Sequence, residues 1–144
     1  MKQKLLITAL CLGLVACGKS NVKSEPKAEM QTKADVVEVL YFHSKQRCAS
    51  CIAIEKYTKE LVDSAYTEEL KNGKLVFKSV DITKDEQMAD KYEVSWSSLI
   101  LVDYGKNGEE KVENMTEFAF ATARNTPEKF KNGIAEKINR MLNN

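Results

Sequence analysis

The chain predicts a single α/β domain of order βαβαββα built on a central mixed sheet. Three features point to it. Runs rich in β-branched, aliphatic and aromatic residues recur at Val36–Phe42, Leu75–Ile82 and Leu99–Tyr104, each free of Gly and Pro, as buried strands are. Between and after these runs the apolar residues fall at the three-and-four spacing of a helix face. Gly105-Lys106-Asn107-Gly108 directly after the third run marks a hairpin, so the later strands are antiparallel while the first two, separated by a helix, are parallel.

Taken in order, VVEVLYF reads as the first, buried strand, and the polar stretch His43–Arg47 leads out of it. In the helix that follows, Ile54, Tyr57, Leu61 and Ala65 share a face, and Asn72-Gly73 supplies the left-handed cap that ends it near Lys71. LVFKSVDI is the second strand. Thr83 and Glu86 match a capping box for a short second helix running to about Tyr92. LILVDY is the third strand, and Glu110–Glu113, with its single Val, is a weaker fourth strand at a sheet edge. Asn114 and Glu117 cap a short helix through Phe118–Ala123. The last helix starts from Thr126 as N-cap with Pro127 at its first position, and it buries Phe130, Ile134, Ile138, Met141 and Leu142.

Chemistry concentrates at the first strand-to-helix junction, where Cys48-Ala49-Ser50-Cys51 stands. A thiol at a helix N-terminus faces unpaired backbone N–H groups and the positive end of the macrodipole, both of which favour its anion. Cys48 is so placed, and Cys51, three residues on, shares its helix face and lies deeper, within reach of a disulfide. Attack by Cys48 and resolution by Cys51 follow. A four-coordinate metal site would need ligands the domain lacks, since there is no second CxxC and His43 is the one histidine, so no metal is assigned. Haem attachment requires His after the second cysteine, and Ile52 is there. An inert bridge over so short a loop constrains the unfolded chain little, which favours redox chemistry as the reason for the pair.

The N-terminal part sets the compartment. Residues 1–16 carry Lys2 and Lys4 and then the apolar LLITALCLGLVA, which is too short for a permanent membrane span and reads as a secretory signal. Leu14-Val15-Ala16-Cys17 resembles a bacterial lipobox, which implies cleavage before Cys17 and its acylation. Cys11 leaves with the signal, so of four cysteines only Cys48 and Cys51 remain as thiols, in an exported setting where disulfides persist. Residues 17–34 are polar and mixed in charge, a flexible tether, and residues 35–144 form the domain. A formal net charge of +1 with no basic stripe gives no reason to expect nucleic acid. The localisation expected is the cell envelope, lipid-anchored and facing the periplasm.

The arrangement of strands and helices, with the reactive pair after the first strand, resembles the thioredoxin fold over residues 36–143. The string YFHSKQRCASCIAIEKYTKE (Tyr41–Glu60), together with YEVSWSSL (Tyr92–Leu99), is similar to a bacterial group of thioredoxin-family lipoproteins known as nitrophenyl compound nitroreductase subunits. No flavin or nicotinamide signature accompanies it, so the resemblance implies a fold rather than a substrate, and no cofactor is expected. It implies Cys48 as nucleophile and Cys51 as resolving thiol. It also exposes departures from the thioredoxin pattern. Ala49-Ser50 replaces Gly-Pro between the cysteines, Phe42 occupies the place of the usual buried acid, and Ser98 stands where the family carries a cis-proline. The Ser98 loop is expected to face Cys48 and to offer its hydroxyl to a bound peptide or thiol.

Arg47, His43 and Trp96 join Ser98 in the expected site. Arg47 can stabilise the Cys48 thiolate or simply be solvated. His43 can share a proton with Cys48 or pack at the strand end. Trp96 either shields the disulfide and docks a partner or belongs to the core, whereas Glu55 reads as a solvated helix residue. The reading is therefore a membrane-anchored thiol-disulfide oxidoreductase whose partner is a protein or small-molecule thiol or disulfide. Two alternatives come from other classes. One is a binding module that captures a soft metal or an arsenical with the vicinal thiols, and the other a non-catalytic redox subunit of an envelope complex.

Overall fold

The computed structural model describes residues 33–144; the expected signal, Cys17 and most of the tether lie outside the described residues. The elements are β1 (Val36–His43), α1 (Ala49–Ala65), α2 (Thr67–Lys71), β2 (Leu75–Asp81), α3 (Glu86–Lys91), β3 (Ser98–Tyr104), β4 (Glu110–Asn114), α4 (Thr116–Thr122) and α5 (Pro127–Leu142). The strands form one sheet of order β2-β1-β3-β4. β1 is parallel to β2 and antiparallel to β3, and β3 is antiparallel to β4. No described helix is long and apolar enough to cross a membrane.

Strand alternation splits the core in two. Val37, Val39 and Tyr41 of β1 face one layer with Leu99 and Leu101, and against them pack Ile54, Leu61 and Val62 of α1, Ala119 of α4, and Phe130, Ile134 and Ile138 of α5. Leu40 and Phe42 point the other way, joining Val80, Ile100, Val102 and Tyr104 under Met88 and Tyr92. Each residue on the α5 stripe recurs at four-residue spacing, and all three are fully buried. Gly73 (φ 76°) and Gly108 (φ 77°) take the left-handed conformations that their turns require.

Two details depart from the expected elements. The first helix breaks at Tyr66, whose backbone leaves the helical region (φ −127°, ψ 33°). The buried ring turns in so that its hydroxyl donates to Ala135 O at 3.1 Å and to Asn139 Oδ1 at 2.9 Å, tying the break to α5. The capping box does not form: Asp85 caps α3 by accepting from Met88 N–H at 3.0 Å, while the Thr83 hydroxyl and N–H both donate to Asp81. The short helix expected after β4 is present as α4, and Asn114 Oδ1 accepts from Thr116 N–H at 2.9 Å at its start.

The sheet also buries a charge. Glu38, in the middle of the apolar β1 sequence, is 1% exposed. Its Oε1 accepts from Lys33 Nζ at 2.7 Å and Lys78 Nζ at 2.8 Å, and its Oε2 from the Tyr104 hydroxyl at 3.3 Å. Burial pushes the carboxyl up, but the two lysines outweigh it and hold Glu38 below its ordinary range. The nearby Tyr92 phenol, 3.2 Å from Tyr104 Oη, is pushed up by burial to about 12, so it stays neutral.

Candidate functional site

β1 ends at His43, and the connection to α1 places Cys48 as the helix N-cap with extended backbone (φ −76°, ψ 165°). Its Sγ accepts the Cys51 N–H at 3.1 Å, and its carbonyl accepts the Ile52 N–H at 3.0 Å. A sulfur thus stands where a capping hydroxyl or carboxylate usually does, receiving one of the orphan amides of the first turn. The two sulfurs are joined as a disulfide, with the Cα atoms 5.0 Å apart. Cys48 is exposed, whereas Cys51 is 6% exposed. No acidic side chain occupies the first turn of α1 to offset the helix field at Cys48.

Tyr41 lies beneath the pair. It is fully buried, and its hydroxyl donates to Cys51 O at 2.8 Å. The Arg47 guanidinium stands over its ring, 5.5 Å from the centroid, and Arg47 Nη2 donates to Glu55 Oε2. Glu55 Oε1 accepts the Ser79 hydroxyl at 2.5 Å from β2. Arg47 and Glu55 are each only about a quarter exposed, at 26% and 25% of their side-chain surface. Glu55 is therefore not the solvated helix residue expected. Burial pushes its carboxyl up, yet the Ser79 and Arg47 hydrogen bonds outweigh that and hold it below its ordinary range. Burial pushes the Tyr41 phenol up, so it serves as a neutral donor.

The remaining expected residues are placed as follows. His43 is half-buried, stacked on Tyr41 at 6.0 Å, with Nδ1 3.1 Å from Ser44 O. Ser98 is buried, pairs with Phe42 in the sheet, and donates its hydroxyl to Trp96 O at 3.1 Å, so that hydroxyl is spent within its own loop. Ser97, also buried, lies beside the Tyr41 phenol and brings this loop to the site. Trp96 does not enter the core: it is 59% exposed and stacks on Phe120 at 5.5 Å. Phe42 is buried in the layer away from α1, so the position of the usual acid is apolar here. Among the described residues no group of three or more His, Cys, Asp or Glu side chains converges.

The residues that sequence reasoning missed are Tyr41, Glu55 and Ser79. Opposite charges at 47 and 55 flank the helix start, but their pairing is visible only once the turn is folded, and Ser79 joins only through the register that sets it beside Tyr41.

No protein-family profile and no curated protein sequence matches the chain. Solved structures do. A thioredoxin of Fasciola hepatica is 19% identical with a TM-score of 0.47, over 75% of this chain and 83% of that one. The Trx4 domain of ERdj5 is 18% identical at a TM-score of 0.43, over 56% and 66%. A thioredoxin-2 described as a component of malaria parasite protein secretion machinery is 27% identical at a TM-score of 0.40, over 55% and 69%. In this chain the sheet order β2-β1-β3-β4 and the CxxC pair at the start of α1 make a mixed α/β domain with a disulfide at a helix N-terminus.

Proposed function

We propose that the protein is an exported, lipid-anchored thiol-disulfide oxidoreductase that exchanges disulfides with a protein or small-molecule partner through Cys48. The observation that carries this reading is an exposed sulfur at a helix N-cap, hydrogen-bonded by a main-chain amide and bridged to a buried one. In the reduced protein the Cys48 thiolate attacks one sulfur of the partner disulfide. That S–S bond breaks, a Cys48–partner disulfide forms, and the other partner sulfur leaves as a thiolate that takes up a proton. Cys51, having released its proton to solvent, then attacks Cys48 Sγ and expels the second partner thiolate. Two electrons pass from the protein dithiol to the partner, and the Cys48–Cys51 bridge is restored.

Exposed Ile52 follows Cys51 directly, and exposed Trp96 leads the loop that meets Tyr41; both suit a peptide partner with an apolar side chain. The Leu14–Cys17 sequence supports the anchor. Residue 33 enters at the start of β1, and the disulfide lies past its end, eight residues on, roughly 25 Å away. A tether at that end would present the disulfide away from the membrane.

Insulin reduction with dithiothreitol as electron source tests the activity. The wild-type protein should accelerate it and Cys48→Ser should abolish the effect, while Cys51→Ser should accumulate a covalent adduct on Cys48. Equal rates for wild type and Cys48→Ser would refute the reading. Fatty-acid labelling that survives Cys17→Ser would remove the anchor alone.

A further inference from the structure

The reading of Cys48 as the attacking thiol leaves one device beside it unused. Arg47 sits directly before the N-cap, where a cation adds to the positive end of α1 instead of opposing it. Its guanidinium is held on two sides, by the Tyr41 ring beneath and by Glu55, and Nε is buried with no partner among the described residues. Glu55 is fixed in turn by Ser79. An arginine free in solvent needs none of this.

We infer that Glu55 is a positioning residue that limits the reactivity of Cys48 by neutralising Arg47 next to it, so that the Cys48–Cys51 disulfide is less oxidising than the helix N-terminus and an unpaired Arg47 together would make it. This rests on the thiol-exchange reading. The charge argument is direct. A thiolate forming on Cys48 gains from Arg47 and loses to Glu55, and the ion pair leaves it mainly the helix amides. Removing only the carboxylate exposes Cys48 to the uncompensated cation; removing only the cation leaves it facing the anion. For charges on neighbouring side chains near a surface, either change moves a thiol by roughly half to one pKa unit. Among the other titratable groups on the segments that meet here are His43 at the end of β1, whose proximity also favours the Glu55 carboxylate, Lys45 in the connection, Lys56 and Lys59 along α1, Asp81 at the end of β2 and Glu93 before β3. None of the six makes a salt bridge to Arg47 or Glu55.

The equilibrium that reads this out is balanced: the protein dithiol and glutathione disulfide give the protein disulfide and two glutathione thiols. A lower Cys48 pKa stabilises the reduced protein and makes the disulfide a stronger oxidant. The test uses the 35–144 domain within the full chain, with thiolate absorbance or iodoacetamide alkylation followed across pH and the glutathione equilibrium measured alongside. Glu55→Gln keeps the shape of the side chain and should lower the Cys48 pKa by about half to one unit, shifting the equilibrium about three- to tenfold toward the reduced protein. Arg47→Gln should move both in the opposite direction, and the double variant should return near wild type. An unchanged or raised pKa in folded Glu55→Gln overturns the inference, because a carboxylate that merely clamped Arg47 in place would raise it on removal. If Glu55→Gln fails to fold, Arg47→Gln decides, and no rise in its pKa is equally fatal. A wild-type thiol that titrates near 8.5 and exchanges no disulfide refutes the function reading separately, and the opposite shifts of the two variants would still be measurable.

Discussion

Replacing Glu38 with Gln tests the account of the sheet most severely. The carboxylate is 1% exposed and accepts from Lys33, Lys78 and Tyr104. Gln preserves volume, and one of its polar atoms can still meet Tyr104, but two lysine cations then lose their counter-ion. Removing one member of a buried pair costs about 3 to 5 kcal/mol when the charge left behind stays buried. Here the lysine side chains are 38% and 39% exposed, so water recovers part of that, and about 2 to 3 kcal/mol is expected. For a domain of this size that lowers Tm by roughly 8 to 15 °C. The pH dependence supplies an independent check. Glu38 is held below its ordinary value of 4.5, so the unfolded chain binds its proton more readily. The stabilisation is complete above 4.5 and is lost as pH falls through the lower folded value. Thermal unfolding followed by circular dichroism from pH 7 down to about pH 3 should show the wild type converging on Glu38→Gln at the acid end. A Tm difference under about 3 °C at pH 7, or one that does not shrink toward pH 3, would refute the reasoning.

Two further substitutions probe packing around the helices. In Gly133→Ala, the added methyl would meet the Phe118 ring, with Cε1 at 2.7 Å, while that ring is stacked on Phe130. The helix-propensity gain of about 1 kcal/mol is then offset by about 1 to 3 kcal/mol of overpacking, and urea unfolding should show no stabilisation; a gain of a full kcal/mol would mean the ring moves freely. Tyr66→Phe removes the hydroxyl that bridges the α1–α2 break to Ala135 and Asn139. It should cost about 1 kcal/mol, some 4 to 8 °C in Tm, and an unchanged melting curve would show the break is held by the ring alone.

What was legible in the sequence follows from what is local. The strands carry their own apolar runs, and the α5 stripe repeats every four residues. Gly73 and Gly108 mark turns that few other residues can make, so the four strands and the helices flanking them are legible from pattern, while the sheet order β2-β1-β3-β4 and the separate α2 are not. The Cys48–Cys51 pair was legible because its placement depends only on where one helix starts. Tyr66 was not, since a break in an otherwise helical pattern is dictated by where its hydroxyl finds acceptors on α5, far along the chain. Glu38 was hidden for the same reason: within VVEVLYF nothing announces that a lysine from the next strand will reach it. Thr83 and Glu86 had the spacing of a capping box, but Asp81 engaged Thr83 first and Asp85 took the cap.

The carboxylates of Glu38 and Glu55 divide their work through β2. Lys78 and Ser79 are consecutive, so strand alternation sends them to opposite faces of the sheet. Lys78 reaches Glu38 in the layer under Tyr92, and Ser79 reaches Glu55 on the helix that carries the disulfide. Because the sheet lies between the two networks and they share no partner, their perturbations should be nearly additive. A change at Glu38 should therefore lower stability while leaving the Cys48 thiol where it was. A change at Glu55, a quarter exposed and bonded through a surface ion pair, should cost little stability and move the thiol instead. Stability and thiol reactivity thus depend on separate networks on opposite faces of β2, one through Glu38 of β1 and one through Glu55 of α1, and a substitution that shifted both together would place the two networks in contact through the sheet.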